Sequence, residues 1–192
     1  MGRPQRMIGT RKVAAGAPGA PVSRGVARGA LALCALLAIS PAVPAGAQTP
    51  PDYRDDRSTP EAVIESLYNA INRREFLRAW SYFRDEPDRP EFESFAKGYA
   101  DTSRVRLKLG MAEAEGAAGS TYYRVPAVVE ATRGGTAAVF SGCYELRLLQ
   151  PGAQAEPPFQ PMGIVRGNLR QSKASFEEGQ GDCSVPNAPA KP

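Results

Sequence analysis

From residue 59 onward the apolar positions recur first with a helical period and then with the period of a strand. Val63, Ile64, Leu67, Tyr68 and Ile71 return every third or fourth residue and predict one amphipathic helix. Ser58 or Thr59 can cap it, Pro60 sits in its first turn, and Ser58 with Glu61 has capping-box spacing. Continuing the helix would place Arg74 on the apolar stripe, so the cluster NRRE at 72–75 predicts a break near Asn72. A second short segment is expected to put Phe76, Leu77, Trp80 and Phe83 on one side. After a loop at 85–89, residues 90–100 predict a third helix with Phe92, Phe95, Ala96 and Tyr99 sharing a face.

At Ser103 the period changes to two. Val105, Leu107, Leu109 and Met111 alternate with Arg104, Arg106 and Lys108, the pattern of a half-buried strand. GAAGS at 116–120 turns the chain into a second strand, 121–132, with Tyr123, Val125, Ala127 and Val129 on one face. Pro126 within it points to an edge or a bulge. RGG at 133–135 predicts a hairpin turn into a third strand, TAAVFSGCYELRLL, with Phe140, Tyr144, Leu146 and Leu148 inward and Cys143 outward. A loop at 151–161 leads to a weaker fourth strand, on which Met162, Ile164, Arg166 and Arg170 are expected to share one face. The C-terminal residues from 177 are too polar to fold alone.

The region before this pattern is different in kind. Residues 1–29 contain Arg3, Arg6, Arg11, Lys12, Arg24 and Arg28 and no acidic residue, the apolar run ALALCALLAI follows, and Ala45-Gly46-Ala47 has the A-x-A cleavage pattern. A run of this length is too short to span a bilayer and suits an export signal. The expected organisation is therefore a signal peptide at 1–47, with Met1 or Met7 as its start, and a flexible lead-in at 48–58. A folded domain at 59–177 and a polar tail at 178–192 complete it. The expected location is periplasmic or secreted, with membrane contact only transient, through the signal peptide. Removing six basic charges from the 24 Lys and Arg leaves 18 against 20 Asp and Glu, a net of about −2. The remaining basic residues are scattered, so no nucleic-acid footprint is expected. Of the three cysteines, Cys34 departs with the leader, and Cys143 and Cys183 are expected to form a disulfide that pins the tail to the outer side of the sheet.

The stretch VIESLYNAINRREFLRAWSYF, followed by PEFESFAKGYAD, YYRVPAVVEAT and FSGCYELRLL, resembles the nuclear-transport-factor-2-like superfamily, which includes SnoaL-like and ketosteroid-isomerase-like domains. The likeness spans about residues 59–176. The element pattern is α+β: three N-terminal helices packed on a curved antiparallel sheet of about four strands. The resemblance implies a cone with a cavity whose wall or mouth takes Tyr68, Trp80, Tyr99 and Tyr123; the alternative is that these aromatics simply pack. It also allows a homodimer through the open sheet face.

The chemistry left to the chain is narrow. It contains no histidine, which removes Ser-His-Asp and Cys-His nucleophiles and histidine metal clusters, and it has no phosphate-loop or dinucleotide fingerprint. No cofactor and no metal is expected. Carboxylate acid-base catalysis survives, yet Glu130 and Glu145 fall opposite the aliphatic faces of their strands, while Glu61, Glu65, Glu75 and Asp101 read as cap, helix-end or solvated residues. Arg166 and Arg170 are candidates for an anionic ligand. The expected role is a binding domain at the cell envelope, for a small apolar ligand or a protein partner. The alternatives are a carboxylate-dependent isomerase or hydrolase and a structural interaction module without ligand.

Overall fold

The computed structural model describes residues 49–87 and 89–184; the expected leader, its cleavage site and residues 185–192 of the tail lie outside the described residues. Three helices, α1 (Pro60–Asn72), α2 (Phe76–Trp80) and α3 (Phe92–Tyr99), precede five strands: β1 (Thr102–Leu109), β2 (Glu113–Ala117), β3 (Ser120–Arg133), β4 (Thr136–Leu149) and β5 (Gly163–Gln171). The domain is α+β, with one antiparallel sheet ordered β1-β3-β4-β5 and β2 added to β3 beside β1. The sheet has five strands, one more than expected. EAEGA at β2 has no large apolar residue to announce a strand, and all five positions are exposed.

Thr59 caps α1, its side chain accepting from the Ala62 N–H at 3.1 Å, and Pro60 occupies the first turn, where its missing N–H costs nothing. The stripe Val63, Ile64, Leu67, Tyr68 and Ile71 is buried as the spacing predicts. Each fully buried aliphatic side chain contributes about 2 kcal/mol of transfer free energy. Ala62, Ser66 and Ala70, off that stripe, are buried too.

Their cover is the segment expected to be a flexible lead-in. Residues 51–58 are instead held against α1 and α2 by side-chain bonds. Ser66 Oγ accepts from the Asp56 N–H at 2.8 Å, and Asn69 both accepts from the Arg54 N–H and donates to the Asp52 carbonyl. Arg57 donates to the Met162 and Ser81 carbonyls and lies over the Tyr82 ring. A polar segment is ordered here because its extended backbone groups find partners on the neighbouring helices.

In α2 the expected apolar side is corrected: Leu77 is 64% exposed, while Ala79 and Tyr82 are fully buried. The helix is only five residues long and turns at once into a bridge between Phe83 and Ile164, which changes the side presented inward.

Pro126 lies in an interior strand, contrary to expectation, but at the place where the edge is interrupted. β1 pairs with β3 from Ala127 onward, β2 pairs up to Arg124, and the Pro126 carbonyl accepts from the Gly110 N–H at 2.8 Å in the gap. The donor that proline lacks would point into this break, so the ladder loses nothing. Met111 belongs to the same break and is 87% exposed rather than part of the strand face.

The β2–β3 turn uses Ala118 at φ 42° and Gly119 at φ 76°, the left-handed pair of a two-residue hairpin. Glycine suits the second position, whereas alanine is strained at the first. Ala118→Gly is expected to stabilise the fold by about 1 kcal/mol. The check is urea unfolding, in which the midpoint rises with no change in slope.

Candidate functional site

Helices and sheet bring three tyrosines together inside the domain: Tyr68 from α1, Tyr99 from α3 and Tyr144 from β4. The Tyr68 and Tyr144 hydroxyls are buried and 2.6 Å apart, with their rings edge to face at 6.4 Å, and Tyr99 stands near enough to both to act on their ionisation. Tyr144 stands opposite Gly167 on β5, where a Cβ would come within 2.5 Å of its ring. Glycine there makes room for the aromatic ring. Phe95, Leu146 and Ile164 belong to the same buried core, so side chains occupy the interior beside the phenols.

Burial, and then proximity to the other phenols, pushes Tyr68 well above the ordinary phenol range; burial pushes Tyr144 up strongly and Tyr99 in the same direction. These groups stay neutral, and Tyr68 and Tyr144 serve each other as hydrogen-bond partners. Because their folded pKa values are raised, the stability they contribute is full below the unfolded value of about 10 and is lost as pH rises above it. We expect Tyr68, Tyr99 and Tyr144 to ionise only as the protein unfolds in alkali. The phenolate absorbance that these three contribute should then appear together with the loss of circular dichroism, and its appearance in protein of unchanged circular dichroism would contradict this.

Among the described residues the buried polar or charged side chains are Ser66, Thr102 and Ser120, and none is a carboxylic acid. Every carboxyl group with a resolved shift is lowered. Hydrogen bonds from Ser58 lower Asp56 and those from Ser184 lower Asp182. Burial works against the charge on Glu75, but hydrogen bonds from Arg73 and Arg78 outweigh it, and Arg106 lowers Glu177. A carboxyl group in an apolar site, poised as a general acid or base near neutral pH, would shift the other way.

The remaining sequence candidates are dispersed. Trp80 donates from Nε1 to the Pro90 carbonyl at 2.7 Å, carries the Arg89 guanidinium 3.3 Å above its ring and meets Phe92 edge-on. Tyr123 packs against the core near the β2 end of the sheet. Arg166 does not share a face with Ile164, and the expectation that it and Arg170 do is corrected. A register shift opposite Glu145/Leu146 puts an extra residue into β5, so that Ile164 faces Leu146 in the core while Arg166 pairs with Glu145 on the outer side, Nε to Oε2 at 2.7 Å. Arg170 stands opposite Ser141 on that outer side.

The cluster NRRE is a joint with specific contacts. Asn72 donates from Nδ2 to the Val105 carbonyl at 2.9 Å and accepts the Val105 N–H on Oδ1 at 2.6 Å, occupying both outward groups of one residue on the β1 edge. Arg73 and Arg78 converge on Glu75 at 2.7 and 2.6 Å. Arg74 takes the left-handed conformation, φ 60°, that ends the helix and reaches the Ala100 carbonyl.

The outer face of the sheet is divided. Cys143 and Cys183 are joined, and the tail runs across one half of this face. The Asp182 N–H donates to the Gly142 carbonyl, Gly179 lies on Val128, and Gly181 sits so close to Pro126 and Ala127 that a Cβ would come within 2.1 Å of the Ala127 nitrogen. Arg106 and Lys108 hold this segment through Glu177 and the Phe176 ring and carbonyl. The other half carries a concavity of about 440 Å³ lined by Glu113, Ala114, Glu115, Tyr122, Tyr123, Arg124 and Glu145. Sequence reasoning missed this place. The signal available was the alternation Glu113-Ala114-Glu115, charged outward and small inward.

Comparison with known proteins adds little to this geometry. No family model matches the chain, and no curated protein matches its sequence. Among solved structures, a protein of unknown function from Mycobacterium tuberculosis is similar at 18% identity and a TM-score of 0.43, over 59% of this chain and 70% of that one. A protein from Novosphingobium aromaticivorans, described as a candidate scytalone dehydratase, is similar at 8% identity and a TM-score of 0.45, over 67% of this chain and 91% of that one. At these scores neither neighbour carries an argument about activity.

Proposed function

We propose that the chain is an exported, non-catalytic binding domain of nuclear-transport-factor-2-like type, working in an oxidising compartment and recognising a protein partner through its surface. The observation that carries this reading is the interior. The Tyr68 and Tyr144 phenols bond each other, aliphatic side chains belong to the same buried core, and no acid among the described residues is buried there. A small apolar ligand would have to displace packed side chains, which costs several kcal/mol per large residue. That makes the protein-partner reading the better one. A carboxylate-dependent cavity enzyme needs a buried acid, and the buried polar groups beside the core aliphatics are the Tyr68 and Tyr144 phenols.

The pair Cys143–Cys183 supports the oxidising compartment, since such bonds persist outside reducing cytosol. A homodimer through the sheet face would use the half that the tail leaves uncovered. Native mass spectrometry of the exported protein tests these points together. The expected species begins after Ala47, lacks two hydrogens relative to the dithiol and carries no retained small molecule. An apolar compound that survives purification in stoichiometric amount would overturn the protein-partner reading, and persistence of residues 1–47 would overturn export with cleavage.

A further inference from the structure

Along the β1–β2 edge, Asn72 occupies the outward groups of Val105, and Glu61 Oε1 accepts from the outward Ala112 N–H at 3.2 Å. These bonds hold one residue of β1 and one of the link to β2, and none reaches β2 itself. Counting from the two-residue turn at 118–119, Ala117, Glu115 and Glu113 bond to β3, while Ala114 and Gly116 turn their N–H and C=O groups away from it. The Gly110 bond to Pro126 fixes the same alternation independently. Among the described residues β2 pairs with β3 alone, and all five of its positions are exposed.

We propose that the β2 edge is a docking site for an extended polypeptide segment of a partner, with cationic side chains at alternate positions and small or apolar ones between. The inference rests on the protein-partner reading above and deepens it. A strand laid against β2 completes the hydrogen bonds of Ala114 and Gly116, the mode in which main-chain bonds give affinity and alternate side chains give specificity. Residues beside each other on adjacent strands share a face. Alternate partner side chains therefore fall beside Glu113 and Glu115, on the outer face that they share with Tyr122 and Arg124. Those between fall beside Ala114 and Gly116, and at Gly116 nothing lies within 4 Å of where a Cβ would stand.

Charge selects the partner. Glu113 is paired with Arg124 at 3.0 Å, but both are well exposed, and such a pair is readily exchanged for a new cation. The same glutamates repel an acidic edge and lose hydration beside a purely apolar one, which keeps β2 from pairing indiscriminately.

The test uses the mature protein and a short labelled peptide alternating lysine and valine, followed by fluorescence anisotropy and by amide chemical shifts. Binding is expected, with shifts centred on Ala114 and Gly116 and affinity falling as salt rises. Gly116→Pro removes an outward donor without touching the β3 ladder; it should keep the melting temperature and weaken binding at least tenfold. The double variant Glu113→Lys with Glu115→Lys should bind the peptide no better than background and gain affinity for the matching glutamate peptide. No binding by the wild type, equal binding of lysine and glutamate peptides, or unchanged affinity in Gly116→Pro would each overturn the proposal. A dimer seen in the wild type and lost in Gly116→Pro would assign the edge to a second copy and overturn the partner assignment. The protein-partner reading has its own test in the retained-ligand measurement, so the two fail separately.

Discussion

Replacing Cys143 and Cys183 together by serine is expected to cost about 4 kcal/mol of stability, from the entropy of a cross-link 40 residues apart. Calorimetry or urea unfolding of the oxidised wild type against the double variant measures it. The effect should not be confined to global stability. Without the bond the tail keeps its contacts through Phe176, Glu177, Gly179, Gly181 and Asp182, of which Glu177 and Asp182 are exposed. Amide exchange at residues 176–184 should then speed up before the rest of the domain loosens, and Val128, now 1% exposed, should gain solvent. A loss below 1 kcal/mol, or unchanged exchange in the tail, would show that the docked segment is held by its other contacts.

Tyr144→Ala is the second large effect, expected at 3–5 kcal/mol, the range for removing a large buried aromatic side chain. It deletes the ring that covers Gly167 and leaves the Tyr68 hydroxyl without its 2.6 Å partner. Tyr144→Phe separates the two losses. It keeps the ring, orphans the hydroxyl and should cost about 1–2 kcal/mol. Should Tyr144→Ala unfold at the same denaturant concentration as the wild type, the interior would not be the packed core inferred here. The alanine variant should also open a cavity, and only this variant is expected to take up a small phenol.

These residues also show which parts of the fold were legible in advance. The α1 stripe, the break at Asn72, the Gly134-Gly135 turn and the inward face of β4 follow from periodicity and turn chemistry, which act locally. β2 escaped because its pairing comes from the hairpin that Ala118 and Gly119 close, not from apolar residues of its own. The face of Arg166 was misassigned because one extra residue in β5 inverts the alternation, and a single sequence does not reveal which residue is left unpaired. Of the candidate aromatics, Tyr68 and Tyr99 do meet, but their principal partner, Tyr144, was read as core. Two of the three phenols were therefore in view without the relation between them, which depends on contact between helix and sheet.

The Asn72 clamp carries a consequence for the chemical lifetime of the protein. Its side chain must offer a donor to one Val105 group and an acceptor to the other, and only an amide does both at that reach. Slow hydrolysis of that amide to an aspartate would set a carboxylate oxygen against the Val105 carbonyl. The ageing molecule would lose the seal on β1 first. The covalent change at one side chain would free both outward groups of Val105, and damaged copies would gain one more place for pairing with one another.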